Sequence, residues 1–234
     1  MNKVAVSGTY STGKTLTSLA LSLVSGIPRT HAATMRQILP NAFPGKRLEE
    51  CQDLELLQLG IIRYSQRFAH ERSLPDGFIS DGSSLHEWVY GKVRVHMGIH
   101  PQSDSEYSEG LTGREAFFEQ VMDALGSVVK RHALRSYDLF LHLPIEFPLV
   151  EDGHRPVSER FREISDRLLR DTIEQLNLPI QVISGSVSER LEQALSILGR
   201  RPVMPVTTAV EQATRELASF NTADELSSQA ALPY

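Results

Sequence analysis

Cysteine is almost absent from this sequence: Cys51 is the only one in 234 residues. A single thiol closes no intramolecular disulfide, and a zinc site built on cysteines is excluded. Lysine is scarce as well, five of the 24 basic residues, so most cationic positions are arginines, whose planar fork suits two-point contacts with phosphate. Positive charge is not in excess. The 29 acidic residues leave a net charge of −5 and a pI near 5.9, which argues against a nucleic-acid binder working through bulk charge. No apolar run is long enough to cross a bilayer, and the opening MNKVAVSG shows no charged-then-apolar leader. The expectation is a cytoplasmic protein with neither membrane nor nucleic acid as partner.

What is present fits an ordinary globular chain: 41% hydrophobic and 23% charged residues support a packed core rather than disorder. Residues 3–7 read as a short buried strand, and 13–25 as a helix with apolar residues at helical spacing, closed by Gly26 and Pro28. The proline-broken stretch after it holds one short helix, and a longer helix is expected over 47–71. LPDG turns the chain into a strand, FIS, that ends at Asp81. A polar loop covers 95–113, and Thr112 with Glu115 has the capping-box spacing that starts a helix running to 135. Strands follow at 137–144 and in LPIQVISGS, each with a helix after it. Strands alternating with helices predict an α/β fold, a three-layer sandwich with a mostly parallel sheet covered by helices on both faces. Residues 1–200 read as one domain, and 201–234 as a further helix over 207–220 with a loosely ordered tail.

The stretch GTYSTGKT, residues 8–15, is a glycine, four variable residues, then Gly-Lys-Thr: the Walker A pattern of a phosphate-binding loop (P-loop). It lies between the first strand and the first helix, the setting the motif requires. Gly8 and Gly13 let the backbone turn tightly and approach an anion. The N–H groups between them, through Ser11 and Thr12, join the helix N-terminus in an anion cradle. Lys14 then reaches the β- and γ-phosphates, and the Thr15 hydroxyl is placed to ligate Mg²⁺. A switch GTPase would show an Asn-Lys-x-Asp motif, and none is found. A motor ATPase would end a long apolar strand in Asp-Glu, whereas FISDGSS offers one carboxylate, Asp81. These absences favour a transferase, a small-molecule kinase.

Three stretches together, GTYSTGKT, FISDGSS, and YDLFLHLPIEFPLVEDGHRPVSERFREISDRLL with LPIQVISGSVSERLEQAL, resemble the P-loop kinase-like AAA-type ATPase family related to ribosylnicotinamide kinase, close to the deoxynucleoside and thymidylate kinases. The resemblance covers residues 1–198, in outline only over 27–75 and 95–135. It implies a P-loop NTPase fold and phosphoryl transfer from ATP, with Mg²⁺, to a small hydroxyl-bearing acceptor. Asp81 would lie near the metal and the acceptor hydroxyl. A lid over 151–163 would bring Arg155, Arg160 and Arg162 over the triphosphate, where charge stabilisation is most of the catalysis. Ser184 and Gly185 would lie beside the adenine ring. Two departures stand out. The family often reads Asp-Arg-Ser where this chain has Asp81-Gly82-Ser83, and IPRTHAAT lacks the acidic residue that relatives often carry near the end of the second strand. The general base is therefore left open between Asp81 and His31, or the acceptor is unusual.

Other residues have simpler readings. His96 and His100 are four apart but lack the frame of a zinc site. Trp88 and Tyr90 read as core packing and Cys51 as inert. Arg29 and Arg36 are candidate contacts to an anionic acceptor. The reading is an ATP- and Mg²⁺-dependent kinase in which Lys14, Asp81 and Arg155 carry the chemistry, as a monomer or a homodimer. The alternative is a regulatory ATPase that acts through a protein partner, supported by the two departures and the C-terminal segment.

Overall fold

The computed structural model describes residues 2–149 and 158–230, with the side chains of the last helix as far as 219. Five strands form one sheet: β1 (Lys3–Ser7), β2 (Arg29–Thr30), β3 (Phe78–Asp81), β4 (Leu139–His142) and β5 (Ile180–Val182). Their order is β2-β3-β1-β4-β5, and every pairing is parallel. The helices are α1 (Lys14–Ser25), α2 (Met35–Ala42), α3 (Asp53–Arg72), α4 (Leu85–Met97), α5 (Gly113–Ser136), α6 (Glu159–Gln175), α7 (Val187–Leu198) and α8 (Val206–Ala230).

Strand alternation divides the core between the two faces of the sheet. Val4 and Val6 pack with Leu139, Leu141, Leu21 and Val24 on the side covered by α1, α7 and α8. Ala5, between them, packs with Phe78 and Phe140 on the side covered by α4, α5 and α6. The strands β1, β3 and β4 are buried on both faces and so read as apolar runs in the sequence, whereas β5, at the sheet edge, leaves Gln181 and Val182 exposed. On α6, Phe161, Leu169 and Ile173 recur at four-residue multiples and are buried together against that second side. A third cluster, around Ile38, Leu39 and Leu59, joins α2 to α3 at the β2 edge.

Three features differ from the sequence reading, the first being the last helix, expected over 207–220, which runs over Val206–Ala230. The helix expected over 47–71 is split: Leu48–Glu50 is one 3₁₀ turn, Cys51 is extended, and α3 begins at Asp53. Glu55 sets that start, because its carboxylate accepts the Gln52 N–H at 2.8 Å. The strand β2 lies in IPRTHAAT, where only the family resemblance, and no pattern in the residues, calls for a second strand. It has two residues, sits at the sheet edge directly after Pro28, and takes its structure from β3 through the pairs Arg29–Ile79 and Thr30–Ser80. It carries no period-two signal of its own.

Candidate functional site

Parallel strands deliver their C-terminal ends to one edge of the sheet, and ligands of such folds bind outside that edge. Residues 8–13 leave β1 there as a loop that enters α1. Gly8 (φ 135°) is required, since a Cβ would stand 2.6 Å from the Leu143 carbonyl oxygen and 2.8 Å from Thr12 Oγ1. Gly13 (φ 87°) begins α1 in the left-handed region, and Ser11 shares it with φ 57°. Within the loop, Thr12 Oγ1 donates to the Thr9 carbonyl at 3.0 Å, and the Lys14 ammonium donates to the same carbonyl.

Two buried side chains brace this loop. His86, on the first turn of α4, accepts the Ser83 N–H on Nδ1 at 2.9 Å. A backbone N–H only donates, so the ring proton is on Nε2, which donates to the Gly8 carbonyl at 3.0 Å. Burial, then the charges of Lys14 and Arg67, hold His86 well below the ordinary histidine value and keep it neutral. From the other side Arg190, on α7, donates Nη1–H to the Thr12 carbonyl at 2.8 Å and Nη2–H to Glu146 at 2.5 Å. Glu146 also accepts the Gly185 N–H at 2.9 Å. Burial works to raise the Glu146 carboxyl, but the Gly185 N–H and Arg190 outweigh it and hold it below the ordinary value.

Asp81 stands at the end of β3, opposite Val6 of β1. Its Oδ2 accepts Arg29 Nη2–H at 2.6 Å, while Arg29 Nε–H donates to Ser18 on α1 at 3.0 Å. Ser18 in turn donates to the Thr15 carbonyl at 3.0 Å, so Arg29 links Asp81 to the first turn of α1. Arg67, on α3, holds the backbone from behind: Nη1–H donates to Ser80 Oγ at 2.9 Å and to the Asp81 carbonyl at 2.8 Å. A Cβ on Gly82 would come within 3.2 Å of Arg67 Nη2, so a guanidinium from α3 fills the space beside the glycine. Behind it, Glu71 accepts from Ser80 at 2.6 Å and Tyr137 at 2.9 Å, and Tyr137 accepts the Ser84 N–H at 2.9 Å. This buried network fixes the turn from Asp81 to Ser84. Partial burial, with Arg29 and His70 next in size, holds His31 below the ordinary histidine value.

The remaining sequence candidates fall in different places. Gly8, Ser11, Thr12, Gly13, Lys14, Thr15 and Asp81 converge on one edge of the sheet. Ser184 and Gly185 are tied to that group through Glu146 and Arg190, and their N–H groups are bonded within the protein, to Gln193 at 3.2 Å and Glu146 at 2.9 Å. Arg160 and Arg162 part company, as residues two apart on a helix must. Arg160 is exposed. Arg162 is fully buried, with Nη1–H on the Phe147 carbonyl at 2.6 Å. Its Nε and Nη2 have no partner among the described residues. Arg155 and most of the expected lid lie outside the described residues. His96 and His100 bond to the Ser108 and Cys51 carbonyls, at 2.8 and 2.9 Å, and the described residues hold no cluster of three metal-ligating side chains.

Beyond the loop lies a cavity of about 940 Å³ between α3, α4 and the start of α5. Tyr90 forms part of its wall and stacks on Tyr10 of the phosphate loop, with ring centroids 4.4 Å apart. The volume lies at the upper end of the range for small-molecule sites. Arg67, His86, Arg190 and this cavity were missed by sequence reasoning, and Arg29, expected as a contact to an anionic acceptor, is instead paired with Asp81. The arginines look like any other helical or edge arginine until the fold sets them beside the loop.

An AAA-domain family matches residues 3–190. The chain belongs to that family. No curated protein matches it in sequence. Among solved structures, deoxyadenosine kinase from M. mycoides with products dCMP and a flexible dCDP bound is similar, with a TM-score of 0.58 at 16% identity, covering 84% of this chain and 98% of that one. The same enzyme with bound dCTP gives a TM-score of 0.53 at 14% identity, with the same coverage. At this identity the likeness concerns the fold alone. No helix among the described residues is long and apolar enough to cross a membrane.

Proposed function

We propose that this AAA-domain protein is a kinase that moves the γ-phosphoryl group of ATP onto a small molecule held in the cavity beside the phosphate loop. The observation that carries the reading is the pairing of a complete phosphate loop with a separate cavity whose wall, at Tyr90, touches the loop at Tyr10. A hydrolase needs room only for water. A transferase needs a second site next to the first.

The residues present fit Mg²⁺-ATP. Gly8 and Gly13 keep side chains out of the cradle, and Thr15 with Asp81 supplies the few hard oxygen donors that Mg²⁺ takes when phosphates and water fill its other positions. Held by Thr15 and Asp81, Mg²⁺ would offset the negative charge of the bound phosphates. Lys14 turns its ammonium from the Thr9 carbonyl toward those phosphates. Asp81 orients the metal or the acceptor hydroxyl, and Arg162 has N–H donors without a partner among the described residues, able to meet an anion. Arg155 and Arg160 would act from the lid. The proton of the acceptor passes to Asp81 or to His31, which stays neutral near pH 7 and is able to receive one.

The test is ADP release from Mg-ATP with and without a metabolite extract, with Lys14→Ala as the blank. Stimulation by the extract, lost in Lys14→Ala and in Asp81→Asn while Asp81→Asn still binds nucleotide, is the expected outcome. A slow rate that no compound raises would transfer the assignment to a regulatory ATPase.

A further inference from the structure

The walls of the cavity say more about its occupant. Most of them are apolar, with Met35, Leu56, Val95, Ile99, Phe118 and Leu125 among the lining side chains. Two of the charged pairs there are internally balanced. Glu87 pairs with Arg63 at 3.2 Å, and Asp53 holds Arg114 at 2.5 Å across the mouth. Glu115 is exposed to solvent at the start of α5.

Arg94 is different. It lines the cavity from α4 and has no carboxylate at ion-pair distance among the described residues. Its Nε–H donates to the Ile99 carbonyl at 3.0 Å, and its guanidinium lies over the Phe161 ring, 5.0 Å from the centroid. The Phe161 ring is also 6.1 Å from Tyr90 and 6.3 Å from Tyr10, so this cation is fixed on the side of the cavity nearest the phosphate loop. A guanidinium held by one carbonyl and one aromatic face keeps unused donors, and an anionic oxygen satisfies them better than a neutral group does.

We infer that the cavity takes a largely apolar molecule carrying one anionic group, a carboxylate or a phosphate monoester, which Arg94 binds. The inference rests on reading the cavity as the acceptor site and narrows the acceptor to an amphiphilic anion. It leaves the hydroxyl that receives the phosphoryl group on the same molecule, directed toward Asp81.

Two probes test the class without knowledge of the acceptor. 8-Anilinonaphthalene-1-sulfonate carries an apolar aromatic body and one anionic group, and N-phenyl-1-naphthylamine is its neutral counterpart. Both are titrated by fluorescence into the full chain. Gly60→Phe places a ring in the cavity, where a Cβ would meet nothing closer than Glu87 Cβ at 3.9 Å, and both probes should lose binding. Arg94→Met should weaken the sulfonate about ten- to a hundredfold, the worth of one hydrogen bond to a charged partner, and leave the amine unchanged. Equal effects on the two probes, or none on the sulfonate, would overturn the inference.

A second arm uses ADP release. A metabolite extract is split by anion exchange and then by reversed-phase retention. Stimulation by the retained, anionic fraction supports the inference, and phosphatase treatment of that fraction separates a phosphate (activity lost) from a carboxylate (activity kept). Stimulation by the neutral fraction overturns it while the kinase reading stands. No stimulation by any fraction sinks the kinase reading, and the two probes still decide the ligand class.

Discussion

Replacing Arg190 with Met is the most informative single perturbation of the loop. The Arg190 side chain is 2% exposed, and its guanidinium satisfies the Thr12 carbonyl and the Glu146 carboxylate at once. Methionine fills much of the volume but donates nothing. Removing one partner of a buried ion pair costs about 3–5 kcal/mol. Glu146 is 26% exposed and regains some hydration, which discounts the figure to about 2–3 kcal/mol. For a chain of this size each kcal/mol lowers Tm by about 2–4 °C, so a fall of about 4–12 °C is expected. Nucleotide binding should weaken as well, because the freed Thr12 peptide lies inside the phosphate loop. The assay is thermal unfolding with and without Mg-ATP, beside a nucleotide titration. Mg-ATP should raise Tm less in the variant than in wild type, since the added stability follows ligand concentration over Kd. A variant that melts within about 2 °C of wild type and binds Mg-ATP equally well would refute the bracing role. Arg190→Lys is the companion, expected to fall between the two because one ammonium does not reproduce the two-point fork.

His86 predicts a pH dependence. Its folded-state pKa is depressed, so the stability it contributes is complete above the ordinary value of 6.5 and is lost as pH falls below that toward the lower folded value. Protonation of the folded state removes the acceptor for the Ser83 N–H, so nucleotide affinity should decline only at the acid end of that window, as pH nears the lower folded value. His86→Gln should flatten both profiles, and unchanged profiles would remove His86 from the loop's support. Glycine substitutions separate two kinds of close contact. Gly126→Ala pushes a Cβ to 2.6 Å from Trp88 Nε1 in a packed core, and should cost about 1–3 kcal/mol in urea unfolding despite alanine's better helix propensity. Gly91→Ala meets Met122 Sδ at the same 2.6 Å, but the thioether is flexible and moves, so stability should change by less than about 1 kcal/mol. Asp81→Asn should abolish acceptor-dependent ADP release and, because it leaves the largely buried Arg29 without its carboxylate, should also lower Tm by a few degrees; retained transfer in the folded variant would show that another group does its work.

Residue patterns alone specify the phosphate loop, the four longer strands and the α/β class. These rest on local rules: GTYSTGKT is contiguous, and strands buried on both faces announce themselves as apolar runs. Lys14 and Thr15 were legible because their roles follow from their places in that motif, and Asp81 because a carboxylate ending a strand is a local signal. The edge strand β2 was not legible, since two residues carry no periodicity and the pairing comes from β3. Nor were the partners that hold the site. Arg190 lies 178 positions from Thr12, and His86 lies 78 from Gly8, separations at which no local pattern exists. The contrast between Arg160, exposed, and Arg162, buried, depends on which face of α6 meets the sheet. The cavity is a gap left where α3, α4 and α5 fail to close on one another, and Arg94 stands apart in its lining because Arg114, the other arginine there, is already matched by Asp53. Motif chemistry is written along the chain, whereas burial, pairing and empty space are properties of elements meeting in three dimensions, and only the tertiary structure decides them.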